Sequence, residues 1–308
     1  MALIAGPTAS GKSDLAVDFA LEVERRGGKA VVINADSAQV YADLHILSAR
    51  PTEEEMRGIE HRLFGAWDGA EACSAVDWAN AARREIENAH LAGIMPILVG
   101  GTGLYIRTLV DGIAPVPPID EDVRRKVRAM TPAEAWQALR AEDAERAARL
   151  NEADQVRVMR ALEVIRSTGH PLAHWQARRT GGIGGSVDLH PLVLLPDRET
   201  LYERCDTRFT RMIERGAADE VERLFARELS PDLPVMRAIG VRETAGWLRG
   251  DWSRNEAIAQ GRQATRNYAK RQYTWFRRQP PEHWKTVEQL YYSGATKTDA
   301  LFLTLGLT

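Results

Sequence analysis

The run Gly6-Pro7-Thr8-Ala9-Ser10-Gly11-Lys12-Ser13 constrains this chain more than any other stretch, because it follows an apolar strand, Leu3-Ile4-Ala5, and precedes an amphipathic segment over residues 15–25. The order G-x-x-x-x-G-K-[ST] between strand and helix turns successive backbone N–H groups and a helix N-terminus toward a phosphate. Lys12 supplies a point charge, and the Ser13 hydroxyl is available to a Mg²⁺ ion. A phosphate-bearing ligand follows. Such a loop serves kinases, nucleotide hydrolases and group transferases alike, so the motif leaves the chemistry open.

Short apolar runs alternate with helical patterns through the first third: Val31-Val32-Ile33, then residues 76–91, then Ile97-Leu98-Val99. That rhythm predicts an α/β unit with a parallel sheet flanked by helices. Ser74, followed three residues later by Asp77, predicts the start of the helix over 76–91. Pro115-Val116-Pro117-Pro118 marks a hinge, beyond which the chain is charged and helical in pattern as far as Arg179. There Thr131-Pro132-Ala133-Glu134 combines a capping box with Pro at the first helical position, and residues 156–165 carry apolar side chains at helical spacing. Thr180-Gly181-Gly182-Ile183-Gly184-Gly185-Ser186 reads as a flexible return linker. The expected division is a core of residues 1–114 and 187–308 with an inserted all-helical subdomain, 115–186. Within the returning core, Leu192-Val193-Leu194-Leu195-Pro196 reads as a buried strand. Ser253-Arg254-Asn255-Glu256 opens a long helix that ends near Arg278, before Pro280-Pro281.

A chain of 308 residues that is 44% hydrophobic and 27% charged is long enough for a large domain and a smaller companion. Cys73 and Cys205 stand far apart without metal-ligand spacing, which indicates neither a disulfide framework nor a zinc site. The first residues form a strand rather than a leader, and no apolar run reaches the ~20 residues of a membrane span. A soluble cytoplasmic protein with no membrane partner is expected. The net charge of −2 neither demands nor excludes a nucleic-acid partner, because local charge is uneven.

Asp36 ends the second apolar run, at the edge where strands of a parallel sheet deliver ligand-binding residues. Its position alone leaves three readings open: a turn or helix cap, a Mg²⁺ partner, and a general base. Val99-Gly100-Gly101-Thr102-Gly103-Leu104-Tyr105 is a second strand-to-helix turn, where glycines admit a close ligand and Thr102 can donate a hydrogen bond. A plain helix cap would use the same residues. A dinucleotide fingerprint fails at Ile106, where a third glycine would be required. In the last helix Arg254, Arg262, Arg266, Lys270, Arg271, Arg277 and Arg278 face a single Glu256, interleaved with Tyr268, Tyr273, Trp275 and Phe276. Arg262, Arg266 and Lys270 share one face at i, i+4 spacing. A solvated helix face would use the same residues, but charge nearly all of one sign with aromatics beside it favours contact with nucleic acid or polyphosphate. Arg157 and Arg160 supply a second basic pair.

Seven ordered segments together resemble the tRNA dimethylallyltransferase family over almost the whole chain. They are residues 6–13, Asp36-Ser37-Ala38-Gln39-Val40-Tyr41, Ala49-Arg50-Pro51, residues 100–105, Arg160-Ala161-Leu162-Glu163-Val164, Met236-Arg237-Ala238-Ile239-Gly240 and Thr265-Arg266-Asn267-Tyr268-Ala269-Lys270-Arg271-Gln272. The resemblance implies a P-loop NTPase-like core with an inserted helical domain, in a compact bacterial-type form expected to act as a monomer. It implies transfer of a dimethylallyl group from dimethylallyl diphosphate to an adenosine beside the anticodon, in tRNAs reading codons that begin with U. It assigns Asp36, Thr102 and Arg237 to catalysis, with Asp36 as the base. Lys12, Ser13, Thr102 and Arg237 attend the diphosphate and its Mg²⁺, for which Ser13 is the ligand. By the same resemblance Asp36, Ser37, Ala38, Gln39, Thr102, Arg124, Val156, Arg157, Val158, Met159, Arg160, Arg237, Arg242, Lys270, Arg271, Gln272 and Arg277 contact the tRNA anticodon stem-loop. Leu44-His45-Ile46-Leu47-Ser48 departs from the Ile-Gly-Thr-like run usual before Ala49-Arg50-Pro51. The rival readings are an adenylate dimethylallyltransferase, a P-loop kinase or nucleotide hydrolase, and a non-catalytic RNA-binding module.

Overall fold

The computed structural model describes residues 1–288. In chain order the elements are β1 (Ala2–Ala5), α1 (Lys12–Arg25), β2 (Ala30–Asn34), the single turn α2 (Glu53–Met56), β3 (Glu60–Arg62), α3 (Ala75–Leu91), β4 (Met95–Gly100) and α4 (Gly103–Asp111). Five helices follow: α5 (Glu121–Arg128), α6 (Pro132–Glu142), α7 (Ala144–Ala147), α8 (Gln155–Thr168) and α9 (Leu172–Gln176). The chain then returns through β5 (His190–Leu194), α10 (Arg198–Glu214), α11 (Ala217–Phe225), a 3₁₀ turn at Pro234–Arg237, α12 (Val241–Leu248), α13 (Arg254–Arg278) and β6 (Lys285–Val287).

Every residue of β1 and β2 is buried, as strands covered on both faces require. The six strands are parallel in the order β3-β2-β4-β1-β5-β6, so β1 lies between β4 and β5. One face packs Ile4, Val32, Ile97 and Leu192 against Leu15, Phe19 and Val23 of α1. Each such aliphatic or aromatic side chain contributes about 1.5–3 kcal/mol on burial. On α3, Trp78 is fully buried, stacks on Tyr105, and donates its indole N–H to the Asn34 carbonyl at 2.8 Å. That bond fixes the end of β2, two residues before Asp36.

The helix starts read from capping boxes are present at Ser74, Thr131 and Ser253. The edge strands β3 and β6 escape a sequence reading because Glu60-His61-Arg62 and Lys285-Thr286-Val287 are short and lack an apolar run. α13 packs along α10 because Gly261 leaves room for Phe209: a Cβ at Gly261 would lie 1.9 Å from that ring.

The chain divides into two compact units, Met1–Leu109 with the chain from Gly184 onward, and Val110–Ile183. In the second unit, Val127, Leu139, Val158 and Leu162 form a core of their own. Its outgoing and returning ends pair at Ile113 and Thr180, each N–H donating to the other's carbonyl at 3.0 Å. This pairing draws the boundary to residues 110 and 183, outside the Pro115 hinge at one end and inside the glycine linker at the other.

Candidate active site

Parallel strands bring the turns after β1, β2 and β4 to one sheet edge. The loop after β1 is tied to the turn after β4 by the Gly6 N–H, which donates to the Gly100 carbonyl at 3.3 Å. α1 begins at Lys12 behind Gly11, whose φ of 88° lies in the left-handed region and which offers no side-chain cap. The first-turn N–H groups of a 14-residue helix are therefore left to a ligand. The Ser10 hydroxyl is buried without a partner among the described residues. Lys12 is 7% exposed and donates to the Pro7 carbonyl at 3.2 Å. Burial pulls its ammonium down to about 8, against the opposing pull of the Asp36 carboxylate. A buried cation with a depressed pKa gains most when an anion arrives.

Asp36 is 8% exposed and held by its own turn. Its N–H donates to Asn34 Oδ1 at 2.8 Å, and its Oδ1 accepts the Ala38 N–H at 3.0 Å. The Thr102 hydroxyl oxygen accepts the Ser37 N–H at 2.9 Å, and the hydroxyl donates to Ser37 Oγ at 3.2 Å. Thr102 thus buttresses the Asp36 turn. Burial and then the Asp36 carboxylate raise the pKa of the Tyr268 phenol.

Two cavities meet here. A smaller one of about 290 Å³ is lined by Asp36, Ser37, Tyr41, Tyr105, Tyr268 and Arg271. A larger cleft of about 1060 Å³ runs along Lys12, Ser13, Arg50, Arg204 and Arg211. Arg208 of α10 borders both and donates to the Ser48 carbonyl at 3.3 Å. Burial pulls the pKa of its guanidinium down, against the opposing pull of the Asp36 carboxylate. Sequence reading missed Arg208, since no local motif separates it from Arg204, Arg211 and Arg215 in the same stretch of chain.

Gln272 clasps the two loops: the Thr8 N–H donates to its Oε1 at 2.8 Å, and its Nε2 donates to the Gly101 carbonyl at 2.8 Å. A Cβ at Gly101 would meet that amide at 2.4 Å, which is why the position needs glycine.

Several expected contacts sit differently from the sequence reading. Gln272 and Gln39 are buried, and the Gln39 amide donates to the Ser48 and Ala49 carbonyls at 3.2 and 2.7 Å. Both side chains bind protein backbone rather than facing outward. Arg237, which the resemblance assigns to the diphosphate and to catalysis, lines the smaller cavity and pairs with Asp232. The basic face of α13 is also corrected: Arg262 donates to Thr210 Oγ1 at 3.0 and 2.7 Å, and Arg266 holds Asp206 at 2.6 and 2.5 Å. Both turn toward α10, because the packed helix offers them partners. Lys270, Arg271 and Arg277 remain exposed, with Arg271 over the Tyr268 ring at 5.6 Å. Arg242 is exposed and lies over the Trp252 ring at 5.9 Å.

In the helical unit, Val158 is fully buried and does not reach the surface, while Met159 packs on the same core and stays partly exposed. Val156 is exposed, and Arg157 and Arg160 pair along their helix with Asp154 at 3.2 Å and Glu163 at 3.7 Å. Arg124 pairs with Glu121 at 3.2 Å. Cys73 and Cys205 are both buried free thiols. Among the described residues no helix is long and apolar enough to cross a membrane.

Residues 39–279 match the family described as IPP transferase, and residues 1–66 match that described as isopentenyl transferase. The chain belongs to the IPP transferase family. It is 62% identical over 302 residues to a tRNA dimethylallyltransferase of Erythrobacter litoralis, covering 98% of this chain and 95% of the relative. To that of Novosphingobium aromaticivorans it is 65% identical over 263 residues, covering 85% and 94%. Among solved structures it is similar to the full-length tRNA isopentenylpyrophosphate transferase of Bacillus halodurans, with a TM-score of 0.68, 31% identity, and coverage of 98% and 93%. A eukaryotic dimethylallyltransferase acting on tRNA is similar at a TM-score of 0.76 and 28% identity, covering 90% of this chain and 69% of that one.

Proposed function

We propose that this chain transfers the dimethylallyl group of dimethylallyl diphosphate to the N6 amino group of the adenosine on the 3′ side of the anticodon, in tRNAs reading codons that begin with U. The observation that carries this reading is the meeting of a phosphate loop and a buried carboxylate, Lys12 and Asp36, at two adjoining cavities bordered by Arg208. The larger cleft takes the donor and the smaller one the adenine, whose size suits a pocket near the lower end of ligand sites.

In the reaction the allylic C–O bond breaks and the electron pair leaves with the diphosphate, while a bond forms from N6 to the allylic carbon. Lys12, the α1 N–H groups and Arg208 stabilise the charge that gathers on the leaving oxygens. The adenine amine is a weak nucleophile, so the Asp36 carboxylate accepts its proton as the N–C bond forms and later returns that proton to solvent. Thr102 and Ser37 hold the carboxylate's turn. Arg237, at the smaller cavity, serves the acceptor side. Swinging the adenine out of the anticodon loop costs a few kcal/mol, which contacts elsewhere on the tRNA offset. Lys270, Arg271, Arg277 and Arg242 supply such contacts, as do Arg124, Val156, Arg157 and Arg160 of the helical unit.

A Mg²⁺ ion fits as a companion of the diphosphate. Among the described residues no cluster of three or more His, Cys, Asp or Glu could hold it alone, yet Ser13, Asp14 and Glu55 line the donor cleft. Mg²⁺ in such sites is held largely by substrate phosphates, and it adds charge neutralisation at the leaving group. The protein is proposed to act as a monomer in the cytoplasm. Incubation with labelled dimethylallyl diphosphate and bulk tRNA, followed by nucleoside analysis, is the direct test. Label recovered as N6-dimethylallyladenosine supports the reading, and unmodified tRNA with steady ATP hydrolysis replaces it with a nucleotide hydrolase.

A further inference from the structure

Glu220 of α11 is a carboxylate, 3% exposed, on a helix that contributes nothing else to the site. Its partners are backbone amides. Its Oε1 accepts the N–H groups of His45 and Ile46 at 2.6 and 2.8 Å, and its Oε2 accepts that of Leu47 at 2.8 Å. These three donors form the leading end of one tight turn. Its interior is closed by the Ala49 N–H donating to the Ile46 carbonyl at 2.9 Å and by the Arg50 N–H donating to the His45 carbonyl at 3.0 Å. At the trailing end the Ser48 carbonyl accepts from Arg208 at 3.3 Å and from Gln39 at 3.2 Å, and the Ala49 carbonyl accepts from Gln39 at 2.7 Å.

The peptide dipoles of the turn therefore run from an anion at their N–H end to a guanidinium at their carbonyl end. Three charge-assisted bonds to one carboxylate are stronger than neutral ones and define its orientation. No neutral isostere does the same: a glutamine offers one acceptor oxygen, and its NH₂ would confront a backbone N–H. With that oxygen on the His45 and Ile46 N–H groups, the Leu47 N–H would stay buried without a partner, so the turn would shift.

We infer that Glu220 is a positioning residue for Arg208, acting through the turn over residues 44–50 to fix the guanidinium at the donor diphosphate. The inference rests on the proposed transferase reading, in which Arg208 acts at the leaving group, and deepens it by naming what holds Arg208 there. The turn is the segment where the chain departs from the family's usual residues, and the carboxylate holds it by backbone N–H groups, which any sequence there provides.

The test is a double-mutant cycle of Glu220→Gln and Arg208→Ala, read as affinity for inorganic diphosphate by calorimetry, with wild-type transfer activity and thermal unfolding measured in parallel. Each single variant is expected to lose about tenfold in affinity, and the double variant to bind no more than about twofold more weakly than Arg208→Ala alone. A merely structural role for Glu220 gives additive losses, and that result overturns the inference. If Glu220→Gln does not fold, Glu220→Asp, a shorter carboxylate that keeps the charge, takes its place in the same cycle with the same expectation. Diphosphate binding does not depend on transfer: a wild type that binds diphosphate with coupled variants but modifies no tRNA overturns the transferase reading and upholds the coupling.

Discussion

The depressed ammonium of Lys12 makes donor binding depend on pH in a way the structure sizes. Burial holds it at about 8, with Asp36 pulling up and Arg208 pulling down. About 90% of the protein then carries the charge at pH 7, half at pH 8, and about 10% at pH 9. If only the protonated form binds the diphosphate, apparent affinity follows that fraction and falls about tenfold from pH 7 to pH 9. The bound diphosphate raises the ammonium again, so saturating donor restores the rate. The loss appears in KM for the donor and not in kcat. Calorimetry with dimethylallyl diphosphate in buffers of different ionisation heat gives a second reading: uptake of about 0.1 proton at pH 7 and close to one at pH 9. Lys12→Arg carries a charge that does not titrate in this window, and its affinity is expected to stay level over the same range. A donor affinity of the wild type that is flat from pH 7 to pH 9, or a slope that survives in Lys12→Arg, would refute the assignment.

Asp36→Asn keeps size and the Ala38 turn contact but removes the proton acceptor, so single-turnover transfer is expected to fall by about 10² to 10⁴ while tRNA affinity changes little. Transfer restored by raised Mg²⁺ would make Asp36 a metal partner instead. Gln272→Leu leaves the buried Thr8 N–H and Gly101 carbonyl without partners, costing about 1–3 kcal/mol for each, and calorimetric unfolding should show a lower Tm with weaker diphosphate binding. Replacing Lys270 and Arg277 by Ala is expected to flatten the salt dependence of tRNA affinity by about 0.7 for each phosphate left unneutralised. Arg262→Ala and Arg266→Ala should lower stability and leave that slope alone. Equal slopes for the two pairs would remove α13 from the RNA surface.

The parallel core was legible because phosphate loops and buried strands are local: residues 6–13 name their own geometry, and Ile97-Leu98-Val99 can be little but a covered strand. Capping boxes at Ser74, Thr131 and Ser253 located helix starts for the same reason, a side chain bonding three residues ahead. What failed was direction around a helix. Spacing puts Arg262, Arg266 and Lys270 on one face but cannot say that α10 presents Thr210 and Asp206 to the first two. It also cannot see that Val158 turns inward between Arg157 and Met159, unless the apolar stripe of α8 is weighed above its basic residues.

The residues illegible in the sequence share a further property: each acts across a long chain separation. Thr8 and Gln272 are 264 positions apart, Ser48 and Arg208 are 160, and Glu220 lies 173 to 175 from the three N–H groups it holds. The order β3-β2-β4-β1-β5-β6 places the first two strand ends beside the last helices, so the C-terminal half supplies the groups that finish a site begun in the first forty residues. Arg208 and Glu220 carry no motif, and the segment that holds Gln272 does not show its clasp, because their chemistry is set by partners, a carbonyl, three amides and a pair of loops, that only the closed sheet brings within reach. The loop motif and Asp36 are readable because each supplies its own local scaffold. A carboxylate after β2 and an ammonium after β1, with β4 between the two strands, still need the arginine and the clasp before the leaving group is held, and those come from α10 and α13.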